Sequence, residues 1–97
     1  MDIIKPSVAG TLESSDIMIT VEPGGPGIEI DLQSIVGKQF GEEIRRAIRE
    51  TLSELSVEHA RIGAVDKGAL DCTIRARTKT AVYRAGGRSS PDWKVKE

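Results

Sequence analysis

The chain has 97 residues, 38% of them hydrophobic, which suits one small domain around a single core and excludes a large internal active-site cavity. Its one cysteine, Cys72, excludes an intramolecular disulfide and a thiolate metal cluster, as is usual in a reducing compartment, so we expect a cytoplasmic location. No stretch approaches the roughly 20 apolar residues of a membrane helix, and the start of the chain lacks the layout of a signal peptide. We therefore expect a soluble protein that is not exported.

The formal net charge of −1 hides an uneven distribution. Residues 1–43 carry eight acidic residues and two lysines, whereas residues 44–97 carry twelve basic and seven acidic residues. This distribution favours polar contact with larger protein partners over nucleic-acid binding, because no uniformly basic face results. The three aromatic residues are also too few for base-stacking platforms.

The first predicted element is a β-hairpin. Alternating apolar residues predict two short strands, one from Val8 to Leu12 and one from Ile17 to Val21. The segment between them, Glu13–Asp16, consists largely of residues whose side chains bond nearby backbone amides. We expect it to form the tip of the hairpin.

A third strand and a long helix follow. Proline and glycine predict a loop over residues 23–27. Over residues 28–32, apolar residues alternate with acidic ones and predict a strand with one solvent-exposed face. Apolar residues spaced by three or four then predict an amphipathic helix of about six turns, packed on the sheet by one face. They are Val36, Phe40, Ile44, Ile48, Leu52 and Leu55. Ser34 is predicted to cap the start of this helix.

The last predicted elements are a second hairpin and a short helix. Two strands, over residues 60–66 and 70–74, are expected around Asp66-Lys67-Gly68, and residues 77–85 predict a closing helix. The fold class is therefore α+β, a small antiparallel or mixed sheet packed against one long amphipathic helix, plus a short C-terminal helix. We expect residues 1–86 to form the single domain and residues 87–97, which have linker composition, to be a flexible tail.

The residues able to carry chemistry outside the first hairpin predict no catalytic and no metal site. The only histidine, His59, lacks the motif context of a catalytic triad and is expected at the surface or near a helix C-terminus. Cys72, in an alternating strand, is expected to be a small core residue. The glycine-rich segment 24–27 lacks the Lys-Ser/Thr of a phosphate loop and is expected to be a turn. A series of basic residues is expected on a solvated face. They are Arg75, Arg77, Lys79, Arg84 and Arg88.

The tip of the first hairpin carries the remaining candidates, Ser14 and Ser15. A primary hydroxyl with no base beside it is a poor nucleophile, so such a serine takes part in chemistry only if another enzyme activates or modifies it. From the residues alone the two serines are equivalent, and an ordinary turn without function is the default interpretation.

Residues 9–16, followed by Ile-Met-Ile, resemble the signature of the citrate lyase acyl carrier protein family, also called the gamma subunit. Further stretches match that family in order and at its spacing, from residue 8 to about residue 85. They are Ile35–Gly41, Arg49–Leu52, Asp66–Cys72 and Arg75–Arg77. The Asp-Ser-Leu motif of fatty-acid carrier proteins is missing, and the sheet-plus-helix pattern does not predict their four-helix fold.

This resemblance implies a non-catalytic carrier. Ser14, the first serine of the pair, would be joined through a phosphodiester to 2'-(5''-phosphoribosyl)-3'-dephospho-coenzyme A. The implied partners are the alpha (transferase) and beta (lyase) subunits of citrate lyase, which exchange acetyl for citryl on the carrier and then release oxaloacetate. A prosthetic-group transferase would attach the arm, with Glu13 and Asp16 expected to help it recognise the turn. No nucleic-acid or membrane partner is implied, and part of the Arg75–Arg88 series is expected to dock on the larger subunits.

Three alternatives remain open at this point. The carrier of a citramalate lyase or of a malonate decarboxylase uses a related arm, and partner subunits select the acyl group. An unmodified small α+β adaptor domain would show the same core pattern. A nucleic-acid-binding module is the third.

Overall fold

The computed structural model describes residues 1–86, and the predicted flexible tail, residues 87–97, lies outside the described residues. The elements in chain order are β1 (Ser7–Gly10), β2 (Ile17–Glu22), β3 (Ile28–Ser34), α1 (Gly37–Glu54), β4 (Ala60–Asp66) and α2 (Asp71–Ala85). A four-stranded mixed sheet and two helices make an α+β fold, so the predicted fold class is confirmed. Within the described residues, neither helix combines the length and the apolar character needed to span a membrane.

The sheet brings several chain segments to one end of the molecule. The strand order is β1-β2-β4-β3, with β2 antiparallel to both β1 and β4, and β3 parallel to β4. Ile17 and Ser34 both lie opposite Asp66, the last residue of β4. The tip of the β1–β2 hairpin, the start of α1 and the start of α2 therefore share this end. We call it the serine end, and it comprises residues 11–16, 35–40 and 67–71.

The core lies between one face of the sheet and both helices. Alternate residues of β2 and β4 are fully buried, among them Ile17, Ile19 and Ile62, which is the pattern of a sheet with one covered face. Helix α1 packs over β3, whereas α2 packs over β1 and β2, and the two helices contact each other. Burying each large aliphatic side chain contributes about 1.5–3 kcal/mol, so this interface sets the position of both helices.

The predicted second hairpin is wrong, because the chain enters α2 directly after β4. The buried residues of α2 follow a helical period of three and four and leave the start of the helix outside. They are Ile74, Thr78, Ala81, Val82 and Ala85. Cys72 is therefore exposed on α2, and the expectation of a core cysteine is also wrong. The alternation of Leu70, Cys72 and Ile74 is too short to distinguish a strand from a helix.

The long helix is present, with two corrections at its start. Its N-cap is Val36 and no side chain caps it, so the predicted Ser34 cap is wrong. Ser34 ends β3 instead, where its hydroxyl accepts a hydrogen bond from the Val36 amide (3.0 Å) and donates one to Asp66 (2.8 Å). Phe40, placed on the predicted apolar stripe, is 49% exposed. The fully buried stripe of α1 includes Thr51, whose hydroxyl donates to the Ala47 carbonyl.

Candidate functional site

The tip of the β1–β2 hairpin is a closed β-turn, as predicted. The Asp16 amide donates a hydrogen bond to the Glu13 carbonyl (3.2 Å), which makes Ser14 and Ser15 the two central residues of the turn. Both serines are exposed. Ser15 has a φ of +66°, the sign that a type II turn requires at its third residue. The turn therefore holds two hydroxyls at the surface in a defined backbone conformation.

Backbone hydrogen bonds fasten this turn to the loop between β4 and α2. The Ser15 amide donates to the Lys67 carbonyl (2.8 Å), and the Lys67 amide donates to the Asp16 carbonyl (2.8 Å). These bonds extend the β2–β4 ladder beyond the pair of Ile17 and Asp66. The tip is consequently paired with a third segment of chain rather than projecting freely into solvent.

The carboxylate of Asp16 joins the turn to helix α2. Its two oxygens accept hydrogen bonds from Arg77 Nε (3.0 Å) and Arg77 Nη2 (2.9 Å), a two-pronged contact that fixes orientation as well as distance. The same carboxylate accepts from the Thr11 hydroxyl (2.6 Å) and the Ile17 amide (2.7 Å). The Arg77 guanidinium first, then the Thr11 hydroxyl and the Ile17 amide, hold the pKa of Asp16 well below its ordinary range.

Gly10 lets β1 enter the turn. Its φ is +98°, and a Cβ atom at this position would lie 1.9 Å from the carbonyl oxygen of Ile17. A side chain is therefore excluded by close approach of the facing strand and disfavoured by the backbone angle. Glycine is required here for the register that brings the serines to the tip.

Two acidic residues flank the serines of this turn. Glu13 is exposed, whereas Asp16 is engaged by Arg77, so of the two acids expected to guide a modifying enzyme Glu13 is the more accessible. Within residues 1–86, no cluster of three or more His, Cys, Asp or Glu residues is arranged to hold a metal ion. His59 lies at the surface, as predicted, and accepts a hydrogen bond from the Gly27 amide (3.1 Å) at the opposite end of the sheet. The serines thus have no histidine beside them.

Three arginines of α2 make contacts within the domain at its surface. Arg75 pairs with Glu50 of α1 and with Asp71, each at 2.7 Å. Arg84 Nη1 donates to the Val8 carbonyl of β1 (2.8 Å), and Arg77 binds Asp16. Arg88 lies outside the described residues. These three arginines therefore stay partly or fully exposed while they make contacts within the domain.

The contact between Arg77 and Asp16 is the part of the site that the sequence does not reveal. The two residues are 61 positions apart, and neither belongs to a local pattern of paired charges. Arg77 reaches the turn because α2 packs against β1 and β2. In the sequence, only the acidic residues beside the serines, Glu13 and Asp16, pointed to a charged contact here. Acidic residues in a turn by themselves indicate charges exposed to solvent, not a contact with a distant helix.

Fold and site together define a class of protein. A small domain that holds exposed serines on a turn of fixed conformation is suited to present a residue to other enzymes.

Known proteins of that class are similar to this chain. The family described as malonate decarboxylase delta subunit, an acyl carrier family, matches residues 4–85. The citrate lyase acyl carrier protein of Streptococcus uberis is 61% identical over 94 residues, which are 97% of this chain and 93% of the relative. The corresponding protein of Streptococcus mutans is 59% identical over 95 residues, with the same shares covered.

A solved structure shows the same fold. A chain of the Pseudomonas malonate decarboxylase hetero-tetramer, in complex with malonate, superimposes with a TM-score of 0.71 at 21% identity, covering 89% of this chain and 93% of its own. The chain described here belongs to the citrate lyase acyl carrier protein family. It is an acyl carrier without catalytic activity of its own, and the resemblance drawn from the sequence is confirmed.

Proposed function

We propose that this chain carries acetyl and citryl groups for a citrate lyase, on a 2'-(5''-phosphoribosyl)-3'-dephospho-coenzyme A arm joined to Ser14. The observation that supports it most is the exposed Ser14 at a fastened turn, in a chain 61% identical to a named citrate lyase carrier. Once attached, the arm supplies the thiol on which acyl groups are exchanged during cleavage of citrate to oxaloacetate and acetate. The chain holds the anchor.

The residues at the turn fit a bulky covalent group. Ser14 is exposed, and no hydrogen bond within residues 1–86 involves its hydroxyl, so esterification breaks no contact of the described domain. The bonds that fasten the turn come from its backbone, from Thr11 and from Asp16. They survive when the Ser14 oxygen is esterified, because that oxygen is not among the bonded atoms.

Local backbone geometry favours Ser14 over Ser15 as the anchor. The Ser15 amide is bound to the Lys67 carbonyl (2.8 Å), and its φ of +66° is unfavourable for a residue with a side chain. Ser14 has neither feature. A modifying enzyme that must displace part of the turn to reach the hydroxyl therefore disturbs less at Ser14.

The proposed partners are the alpha (transferase) and beta (lyase) subunits of a citrate lyase and the transferase that attaches the arm. A tethered acyl group reaches two active sites in turn without free diffusion, because the tether sets its effective concentration. We place this exchange in the cytoplasm and involve no nucleic acid. Of the two acids beside the serines, Glu13 is the one left accessible to the transferase.

A second candidate is the carrier of a malonate decarboxylase. It is favoured by the description of the matching family and by the TM-score of 0.71 with a chain of that hetero-tetramer. The two functions place the arm on the same serine and differ in the subunits that load it. Mixing the holo-carrier with purified subunits of each complex, and following acyl transfer to the arm, separates them.

The attachment is tested by the intact mass of the protein purified from its native producer. The mass is expected to exceed that of the sequence by one phosphoribosyl-dephospho-coenzyme A unit, and peptide mapping is expected to place the unit on Ser14. Protein made in a host without the modifying enzymes serves as the unmodified reference. Native protein with the mass of the bare sequence would contradict the proposal.

A further inference from the structure

An apolar cleft opens at the serine end, between the first turns of α1 and the segment that leads from β4 into α2. Its volume is about 360 Å³, which is within the usual range for small-molecule sites. Six of its lining residues are apolar, namely Val36, Phe40, Ile44, Ala69, Leu70 and Ile74. Phe40 and Leu70 are 49% and 69% exposed, so large apolar side chains face solvent at its mouth. Exposed apolar side chains grouped at the mouth of a cleft are a common feature of binding sites.

The cleft is close to the serine turn through the backbone. Gly68 lines the cleft, and its neighbour Lys67 pairs with Ser15 and Asp16. In the sheet, β2 and β3 are separated by β4 alone, which amounts to about 10 Å across two strand spacings. A dephospho-coenzyme A chain lengthened by a phosphoribosyl group exceeds that offset. Because the chain is tethered at its base, weak apolar contact is enough to hold its far end in the cleft.

The charges that line the cleft select what it can receive. The remaining lining residues include Glu43, Asp66 and Asp71, and none of the described lining residues is basic. Asp66 is buried. Its carboxylate accepts hydrogen bonds from the Ser34 hydroxyl and from the Gly68 and Ala69 amides, so its oxygens already have hydrogen-bond donors within the domain. Asp71 is paired with Arg75, so Glu43 and Asp66 are the lining carboxylates without a basic partner in the described residues. An anionic group entering here would lose water and approach these two carboxylates, and no basic residue lines the cleft to pair with it. A neutral group meets neither penalty.

We propose that this cleft receives the thiol end of the arm when the thiol is free or carries the neutral acetyl group, and excludes it when the cargo is the polyanionic citryl group. The inference rests on the proposed attachment of the arm at Ser14. It makes the carrier itself a selector: neutral cargo is kept against the domain and away from water, whereas anionic cargo stays extended toward the partner subunits.

Two capped forms of the arm provide a matched test that needs no turnover. The test uses holo-protein in which the exposed Cys72 is replaced by serine (Cys72→Ser), so that the thiol of the arm is the reactive one. This thiol is then alkylated with iodoacetamide in one sample and with iodoacetate in another. The two caps differ by one negative charge. Amide chemical shifts are compared with those of the unmodified protein. The neutral cap is expected to shift the amides of Phe40, Ala69 and Leu70, and the anionic cap is expected to shift them much less.

Two variants show whether the shifts report the cleft. Phe40→Ala removes one wall of the mouth and is expected to weaken docking of the neutral cap by roughly tenfold, the change given by about 1.4 kcal/mol of lost apolar contact. Ile4→Ala removes a side chain that is 65% exposed at the opposite end of the sheet, and it is expected to leave docking unchanged. Slower hydrolysis of the acetyl-loaded arm in the parent protein than in Phe40→Ala is a second expected result.

The outcomes separate this inference from the proposed function. An arm mapped to Ser14 without shifts around the cleft, or with equal shifts for both caps, would overturn the cleft proposal and leave the carrier function standing. A Ser14 that carries no arm in native protein would overturn both. Shifts confined to the cleft, stronger for the neutral cap and reduced by Phe40→Ala, support the inference.

Discussion

Two loops at opposite ends of the sheet are held in different ways. The serine turn is fastened by backbone pairing with Lys67 and by the side chain of Arg77. The loop Pro23–Gly27 is held by backbone contact with Ala60 and by one hydrogen bond from the Gly27 amide to His59. A connection between strands needs only turn residues, as in the second loop. The bidentate contact of Arg77 with Asp16 adds a link from a distant helix that fixes the orientation of the serine turn.

The largest loss of stability is expected when Gly10 is substituted, because the backbone there leaves no room for a side chain. Gly10→Ala places a Cβ 1.9 Å from the Ile17 carbonyl oxygen in a backbone with positive φ. We expect a loss of about 2–4 kcal/mol in the free energy of unfolding, measured by denaturant titration. The matched change in the other loop is Gly25→Ala, where a Cβ meets nothing within 4 Å, and it is expected to be neutral or stabilising by up to about 1 kcal/mol. Equal losses at both positions would contradict the comparison.

The next effect concerns how well the turn is presented to the modifying enzyme. Arg77→Ala removes the two-pronged contact with Asp16 and is expected to lower the rate of arm attachment by roughly tenfold to a hundredfold, because the turn loses its fixed position. Attachment is followed by mass spectrometry with purified transferase. The control is Arg84→Ala, which removes a hydrogen bond from α2 to Val8 in the same hairpin but away from its tip. A comparable fall in both variants would assign the effect to loosening of α2 rather than to the turn.

A pH dependence of stability follows from the lowered pKa of Asp16. In the unfolded chain this carboxyl titrates near its ordinary value of 3.8, whereas Arg77, Thr11 and Ile17 hold its folded-state pKa far below that. Its ionised form therefore stabilises the fold above that value, and the contribution is lost as the pH falls below it. Asp16→Asn is expected to be less stable than the parent near neutral pH, and the gap is expected to narrow under acid. Unfolding curves at a series of pH values measure this difference in the free energy of unfolding. A difference that does not change with pH would contradict the contact between Asp16 and Arg77.

The smallest changes in the free energy of unfolding are expected for substitutions of the two serines of the turn. Ser15→Gly relieves the positive φ and is expected to raise the free energy of unfolding by up to about 1 kcal/mol. Ser14→Ala, at an exposed position without that backbone angle, is expected to change stability by no more than about 0.5 kcal/mol. Thermal unfolding of the two variants checks this order. A destabilised Ser15→Gly protein would show that the Ser15 side chain holds the turn.

Sequence patterns predicted the parts of the fold that depend on neighbouring residues. The alternation of β2 and β3, the serine turn and the stripe of Ile44, Ile48 and Leu52 are all present. Residues 70–74 were wrongly assigned to a strand, because the alternation of Leu70, Cys72 and Ile74 is too short to distinguish a strand from the start of α2. The buried stripe of α2 includes one polar residue, Thr78. A polar residue is tolerated in that buried position, since its hydroxyl donates to the Ile74 carbonyl (2.8 Å).

The candidate site was predicted only in part. The exposed pair Ser14 and Ser15 follows from turn chemistry, whereas the fastening of Asp16 to Arg77 requires knowing that α2 packs across β1 and β2. The apolar cleft was missed for the same reason. Its walls come from α1 and from the start of α2, which the sequence patterns placed in a strand.

The most direct test of Ser14 as the anchor uses two substitutions that each remove one hydroxyl. Ser14→Ala and Ser15→Gly are produced together with the modifying enzymes, and the intact mass of each protein is measured. The account predicts that Ser15→Gly gains one phosphoribosyl-dephospho-coenzyme A unit and that Ser14→Ala gains none. A unit retained in Ser14→Ala, or lost in a folded Ser15→Gly protein, would contradict it.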